Sequence, residues 1–126
     1  MFLNPSMFDN VYEPEVVPEG EYQLRVINAE DKKAQSGTEY VQVTLEVMDK
    51  PRAKNVYYNV FMPKADDDAK KVNNKLNSIK KFVAAFKSEI TEGFTFKSLI
   101  GSTAWAILKE VEDGEYGNKN EVKRWL

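Results

Sequence analysis

Apolar and polar residues alternate along two long stretches separated by a short polar turn. Between Gly20 and Ala34, Tyr22, Leu24 and Val26 share one face and Gln23 and Arg25 the other. Between Glu39 and Asp49, Val41, Val43, Leu45 and Val47 alternate strictly with Tyr40, Gln42, Thr44 and Glu46. A period of two is the mark of a β-strand with one buried face. Gln35-Ser36-Gly37-Thr38 between them predicts a turn, with Gly37 able to take a positive φ. Both strands are long, as a strand must be if it bends to serve both halves of a small barrel.

Asp49-Lys50-Pro51-Arg52 breaks the second strand, and Asn55 to Met62 predicts a third. The β-branched Val56 and Val60 mark its inward parity, which Tyr58 and Met62 share. Tyr57 and Phe61 then face outward on either side of Asn59. After Pro63, Asp66-Asp67-Asp68 precedes a helix to about Ser88 with an apolar stripe at Val72, Leu76, Ile79, Val83 and Phe86. The three aspartates sit where a helix start favours a cap and negative charge, so they need no metal to explain them. Lys70, Lys71, Lys75, Lys80, Lys81 and Lys87 fall mostly off the stripe and read as a solvated face.

Thr95 to Gly101 reads as one helical turn stopped by glycine. Ser102 to Val111 predicts a fourth strand whose core face stays ambiguous: Ala104, Ala106 and Leu108 lie on one side, Trp105, Ile107 and Lys109 on the other. After the loop 113–118, Val122 to Leu126 predicts a short fifth strand, with Trp125 as a lid on the core. This order of elements predicts an all-β OB fold, a five-stranded Greek-key barrel with one α-helix between strands three and four. Residues 1–19, with Pro5, Pro14 and Pro18, predict an extended arm whose apolar side chains pack on the outside of the 20–126 domain. Docking of that arm on a neighbouring subunit is the alternative.

Composition narrows the chemistry. A chain of 126 residues is one domain with a single core. It has no histidine and no cysteine, which removes zinc sites, imidazole bases, thiolates and disulfides. No nucleophile motif or phosphate loop is present, so the expectation is a non-enzymatic protein without a cofactor. No apolar run reaches membrane-spanning length, and Met1-Phe2-Leu3-Asn4-Pro5 does not resemble a signal peptide, so a soluble cytoplasmic protein is expected. The net charge of −2 hides an asymmetry: residues 1–31 carry seven acids and one base, whereas residues 50–97 carry eleven bases and five acids. A phosphate footprint is a local patch rather than a total.

An OB fold binds single strands across strands two and three, using aromatic planes for bases and cations for phosphates. The candidate residues are Gln42 and Thr44 on strand two and Tyr57, Asn59 and Phe61 on strand three. Around them lie Arg25 on the outer face of strand one, Lys32 and Lys33 near the first turn, Arg52 and Lys54 on the second, and Tyr116 and Lys119 on the last. Trp105 and Lys109 join from strand four, Trp105 as a stacking plane or subunit contact. Few of these groups are placed to read base edges, so sequence-independent binding is the expectation. The competing expectation is a protein-interaction or oligomerisation module that buries the same face.

Several segments carry a resemblance. Val17-Pro18-Glu19-Gly20-Glu21-Tyr22, Asn28-Ala29-Glu30, Ser36-Gly37-Thr38 and Thr44-Leu45-Glu46-Val47-Met48-Asp49 resemble a family of OB-fold single-stranded DNA-binding proteins of tailed phages, long carried as a domain of unknown function. Leu99-Ile100-Gly101 and Asn120-Glu121-Val122-Lys123-Arg124-Trp125 continue the likeness, which covers about residues 17 to 126. The resemblance implies protection of single-stranded DNA in phage replication or recombination, inside the bacterial host and alongside phage replication or recombination proteins; a homo-oligomer is a separate expectation that the sequence leaves open. It also implies that Leu99-Ile100-Gly101 sets up strand four and that Asn120 to Trp125 closes the barrel. Many single-strand binders end in an acidic tail, whereas this sequence ends at Arg124-Trp125-Leu126, which leaves partner docking open.

Overall fold

The computed structural model describes residues 1–126, the side chain of Tyr116 excepted. Five strands, β1 (Gly20–Lys33), β2 (Glu39–Val47), β3 (Val56–Phe61), β4 (Thr103–Glu112) and β5 (Asn118–Trp125), follow in chain order, with helix α1 (Ala69–Ala85) between β3 and β4. All pair antiparallel in one sheet of spatial order β3-β2-β1-β4-β5. β1 is central because it is long enough to pair twice, through Gly20–Arg25 with β4 and through Leu24–Lys33 with β2. Among the described residues no ladder joins the edge strands β3 and β5, so hydrogen bonds do not close the sheet. No helix in the described residues is long and apolar enough to cross a membrane.

The first turn forms where expected. Ala34 N–H donates to Thr38 O and Gly37 N–H to Ala34 O, both at 2.9 Å, with Gly37 at φ +88°. A bulge at Ile27 separates the pairs Val26–Leu45 and Asn28–Thr44. One extra residue moves the inward parity of β1 from Leu24 and Val26 to Ala29, which is why the clean alternation stops after Val26. A bulge also increases local twist, and the sheet curls until β3 and β5 approach each other. On β4 the ambiguity resolves: Ala104, Ala106 and Leu108 are buried, and Trp105 stands outside.

Side chains fill the gap between β3 and β5 where a ladder is absent. Tyr58 of β3 stacks on Phe82 of α1 at 5.1 Å and 7°. Trp125 of β5 meets both rings edge-on at 5.3 Å and Phe86 at 5.2 Å. Such ring pairs add about 0.5–1.5 kcal/mol each beyond the burial of their area. The helix stripe differs from expectation in consequence. Ile79, Val83 and Phe86 are buried as predicted, but the fully buried Phe82 was outside the stripe and Leu76 within it is 51% exposed. Only the C-terminal half of α1 lies on the aromatic cluster, so the core takes Phe82 and leaves Leu76 in solvent.

β5 begins four residues earlier than the predicted Val122, at Asn118. The pattern hid its start because the inward position there is polar. Asn120, 4% exposed, donates to Val17 O at 2.9 Å and to Lys109 O at 3.2 Å, and accepts from Val17 N–H at 2.9 Å. This amide ties the end of the N-terminal arm to the domain. Glu15 also pairs through its backbone with the β2–β3 turn, donating to Arg52 O and accepting from Lys54 N–H. The arm departs from expectation before that point: Phe2, Leu3, Met7, Phe8, Val11 and Tyr12 are exposed rather than packed on the domain. Its one buried apolar residue among those described is Val17, because only there does a polar clamp hold the chain against the core.

The aspartate run has two duties. Asp68 caps α1 by accepting from Lys71 N–H at 2.8 Å. Asp67, with a side chain only 3% exposed, binds Lys75 Nζ at 2.7 Å and Lys71 Nζ at 3.5 Å. Its carboxyl falls from 3.8 to about 2, chiefly through the backbone N–H of Lys64 and then the Lys75 ammonium. A depressed carboxyl stabilises the fold above its unfolded pKa and loses that effect as pH falls through the folded value.

Two measurements check these anchors. Asn120→Ala should lower the unfolding free energy in urea by about 2–4 kcal/mol, because it strands the buried Val17 N–H and C=O without partners. Asp67→Asn should flatten the acid limb of a stability–pH profile between about pH 4 and 2 and leave its neutral limb's shape unchanged.

Candidate nucleic-acid interface

The outward faces of β3, β2 and β1 line up in three cross-strand rows. Tyr57 pairs with Thr44 and onward to Asn28, Asn59 with Gln42 and Glu30, and Phe61 with Tyr40 and Lys32. The parity that buries Val56 and Val60 leaves Tyr57 57% exposed and Phe61 45% exposed. Four residues of strand separate them, about 13 Å. The Tyr40 ring lies 5.4 Å from Phe61 at 40°, which extends that end of the face into a two-ring platform. Tyr40 was legible as outward from the alternation of β2. Its role was missed because only the register places it beside Phe61.

Six predicted residues come together. Gln42, Lys54, Tyr57, Asn59, Phe61 and Lys119 line one groove of about 890 Å³ between β3 and β5. The Lys54 ammonium donates to Asn118 O at 2.8 Å, which links the β2–β3 and β4–β5 connections across one end of it. The groove also admits Glu13, Asp113 and Glu121, so it is mixed in charge rather than basic.

Of the other predicted residues, Thr44 sits opposite Tyr57 and Lys32 ends the Phe61–Tyr40 row, while the rest lie off the groove. Lys32 and Lys33 border a second groove of about 630 Å³ with Tyr40, Met62, Phe94 and Phe96. Arg25 is outward beside Thr103 and ion-paired with Glu46. Trp105, 49% exposed, stands opposite Gln23 on the β1–β4 half of the face, away from the β3 aromatics. Arg52 lies over the Tyr12 ring at 5.0 Å, so it serves the arm. The Tyr116 side chain lies outside the described residues.

Most cations on this face already have carboxylate partners. Lys32 lies 4.0 Å from Glu30, Lys109 3.9 Å from Glu121, and Lys119 3.7 Å from Asp113 and 3.5 Å from Glu121. Exposed pairs of this kind contribute about 0–1 kcal/mol, so a phosphate can displace the carboxylate at little cost. What the face offers chemically is therefore aromatic planes at its ends, the Asn59–Gln42 amides between them, and exchangeable ammonium groups at its margins.

The fold and this face define a β-rich single-sheet domain with an exposed row of aromatic and amide side chains. The family described as protein of unknown function (DUF669) matches residues 7–121, and the chain belongs to it. The match reaches into the N-terminal arm. No curated protein matches the chain.

The alternation on β3 is checked by paired substitutions. Tyr57→Ala should change the unfolding free energy by no more than about 0.5 kcal/mol, while Tyr58→Ala should cost about 3 kcal/mol through its lost stacking on Phe82.

Proposed function

We propose that this protein binds single-stranded DNA without sequence preference and has no catalytic role. The observation that carries the reading is the exposed pair Tyr57 and Phe61 on β3, with Tyr40 beside Phe61 and the Asn59–Gln42 amides between the rings. Every base has a π-face, so planes of this kind hold a strand whatever its sequence, at about 1–3 kcal/mol per stacked base. We read the curled sheet, with its order β3-β2-β1-β4-β5 and its edges turned towards each other, as an OB-type barrel closed by side chains. The resemblance to the phage single-strand binders supports a role in phage DNA replication or recombination in the host cytoplasm, beside other phage proteins of those processes.

A protein-interaction module is the second reading, and the exposed Phe2, Leu3, Met7 and Phe8 of the arm favour it. In that reading the arm and the β3 aromatics are covered in an oligomer or assembly.

Titration with a thymidine oligomer, followed by Trp fluorescence, separates the two. The expected result is a signal change, an affinity that weakens steeply with salt, and losses of about 5- to 150-fold for Tyr57→Ala and for Phe61→Ala. Absence of binding at low salt to strands of tens of nucleotides would sink the strand-binding reading. A tight oligomer whose interface covers Tyr57 and Phe61 would favour the second.

A further inference from the structure

The strongest uncompensated charge lies off the sheet. α1 reads Ala-Lys-Lys-Val-Asn-Asn-Lys-Leu-Asn-Ser-Ile-Lys-Lys-Phe-Val-Ala-Ala, with no Asp or Glu anywhere in its 17 residues. Lys71 and Lys75 turn towards Asp67 at the helix start. Lys70, Lys80 and Lys81 are exposed and have no ion pair among the described residues. At 3.6 residues per turn, Lys70, Asn74, Asn77 and Lys81 project within about 60° of one another, directly opposite the buried Ile79 and Phe86. Asn73 and Lys80 extend that line on one side. The solvent face of the helix is thus built mainly of ammonium and amide groups, with Ala84 between Asn77 and Asn73 and Ser78 at one border. It can donate many hydrogen bonds to phosphate and repels none.

Its position adjoins the aromatic face. The Lys75 ammonium donates to Met62 O at 3.3 Å, which sets the first half of α1 against the end of β3, one residue beyond Phe61. From there the helix, about 26 Å long, runs back along β3 towards β5, where Phe82 stacks on Tyr58 and packs on Trp125. At about 3.4 Å per nucleotide of a stacked strand, the step from Tyr57 to Phe61 takes about four nucleotides, and a strand that turns over the end of β3 onto α1 uses about seven more along the helix.

Resting on the strand-binding reading above, we infer that the Lys–Asn face of α1 is a second, phosphate-tracking surface for the same DNA strand, reached by the strand turning over the Phe61 end of β3. The two surfaces divide the work. On the sheet, rings hold bases while the cations are largely neutralised by neighbouring acids. On the helix, no ring is presented, and the unpaired ammonium groups carry the electrostatic attraction and release counterions on binding.

The test is the triple variant Lys70→Gln, Lys80→Gln, Lys81→Gln, compared with the unaltered chain on thymidine oligomers of about five and about twenty nucleotides. For the long oligomer, the slope of log K against log salt should fall by about 2, close to 0.7 for each phosphate that is no longer neutralised, whereas the short oligomer should bind both proteins alike. A control with the same charge change, Lys50→Gln, Lys97→Gln, Lys123→Gln, should keep the slope. Thermal unfolding of each variant confirms that the fold persists, since all these residues are exposed. An unchanged slope in the α1 variant overturns the inference. An equal fall in the control also overturns it, by tracing the effect to net charge. Loss of self-association with an unchanged slope would assign the helix to a protein contact and overturn it too. If the unaltered chain binds neither oligomer, the strand-binding reading itself has failed.

Discussion

The packing of Tyr58, Phe82, Phe86 and Trp125 is the interaction on which the rest of the molecule depends. β3 and β5 are edge strands brought face to face without a hydrogen-bonded ladder, and these four rings span the gap. They seat α1 on both edges at once, so the register of the helix, the spacing of the edges and the width of the groove between them are set together. The Trp125 indole N–H is buried without a hydrogen-bond partner among the described residues, at a cost of about 1–3 kcal/mol. Ring packing outweighs that loss because each ring there touches at least one other on a different element.

The same packing orients the outer face. Pinning Tyr58 inward leaves its neighbour Tyr57 no direction but outward, since successive side chains on a strand point to opposite sides. Core and candidate interface are therefore two faces of a single register choice on β3. Asn120 plays the matching part on β5, where a polar residue in an inward position holds the arm by its backbone. Among the described residues, beyond that clamp the arm is held only at Glu15 and Tyr12, by the β2–β3 turn and not by the core, which accounts for its exposed side chains.

Charge follows a different logic. Along the sheet, acids and bases sit opposite one another across strands, as in Arg25 with Glu46 and Lys109 with Glu121, and largely cancel. On α1 the acids are confined to the residues just before its first turn, where the helix dipole favours them; Lys71 and Lys75 pair with Asp67 there, and Lys70, Lys80 and Lys81 have no ion pair among the described residues. A net charge of −2 is thus compatible with a strongly basic local surface.

Local period and punctuation were sufficient for much of this. The alternation of β2 and β3, the turn at Gly37 and the cap at Asp68 depend on neighbours within a few residues, so strand order, helix placement and the outward parity of Tyr57 and Phe61 are legible in the sequence alone. The bulge at Ile27, the choice of Ala104 over Trp105 as inward on β4, the exchange of Leu76 for Phe82 in the core and the early start of β5 are not. Each depends on a partner distant in sequence: β2 for the bulge, β1 for the small alanines, Trp125 for Phe82 and Val17 for Asn120. The pairing of Tyr40 with Phe61 and of the sheet lysines with acids likewise needed the strand register. The sequence by itself determined which elements form, because that is decided by backbone preference and burial period. Only the tertiary structure decided which side chains meet and which charges stay free, because that energy arises between residues that the chain order keeps apart.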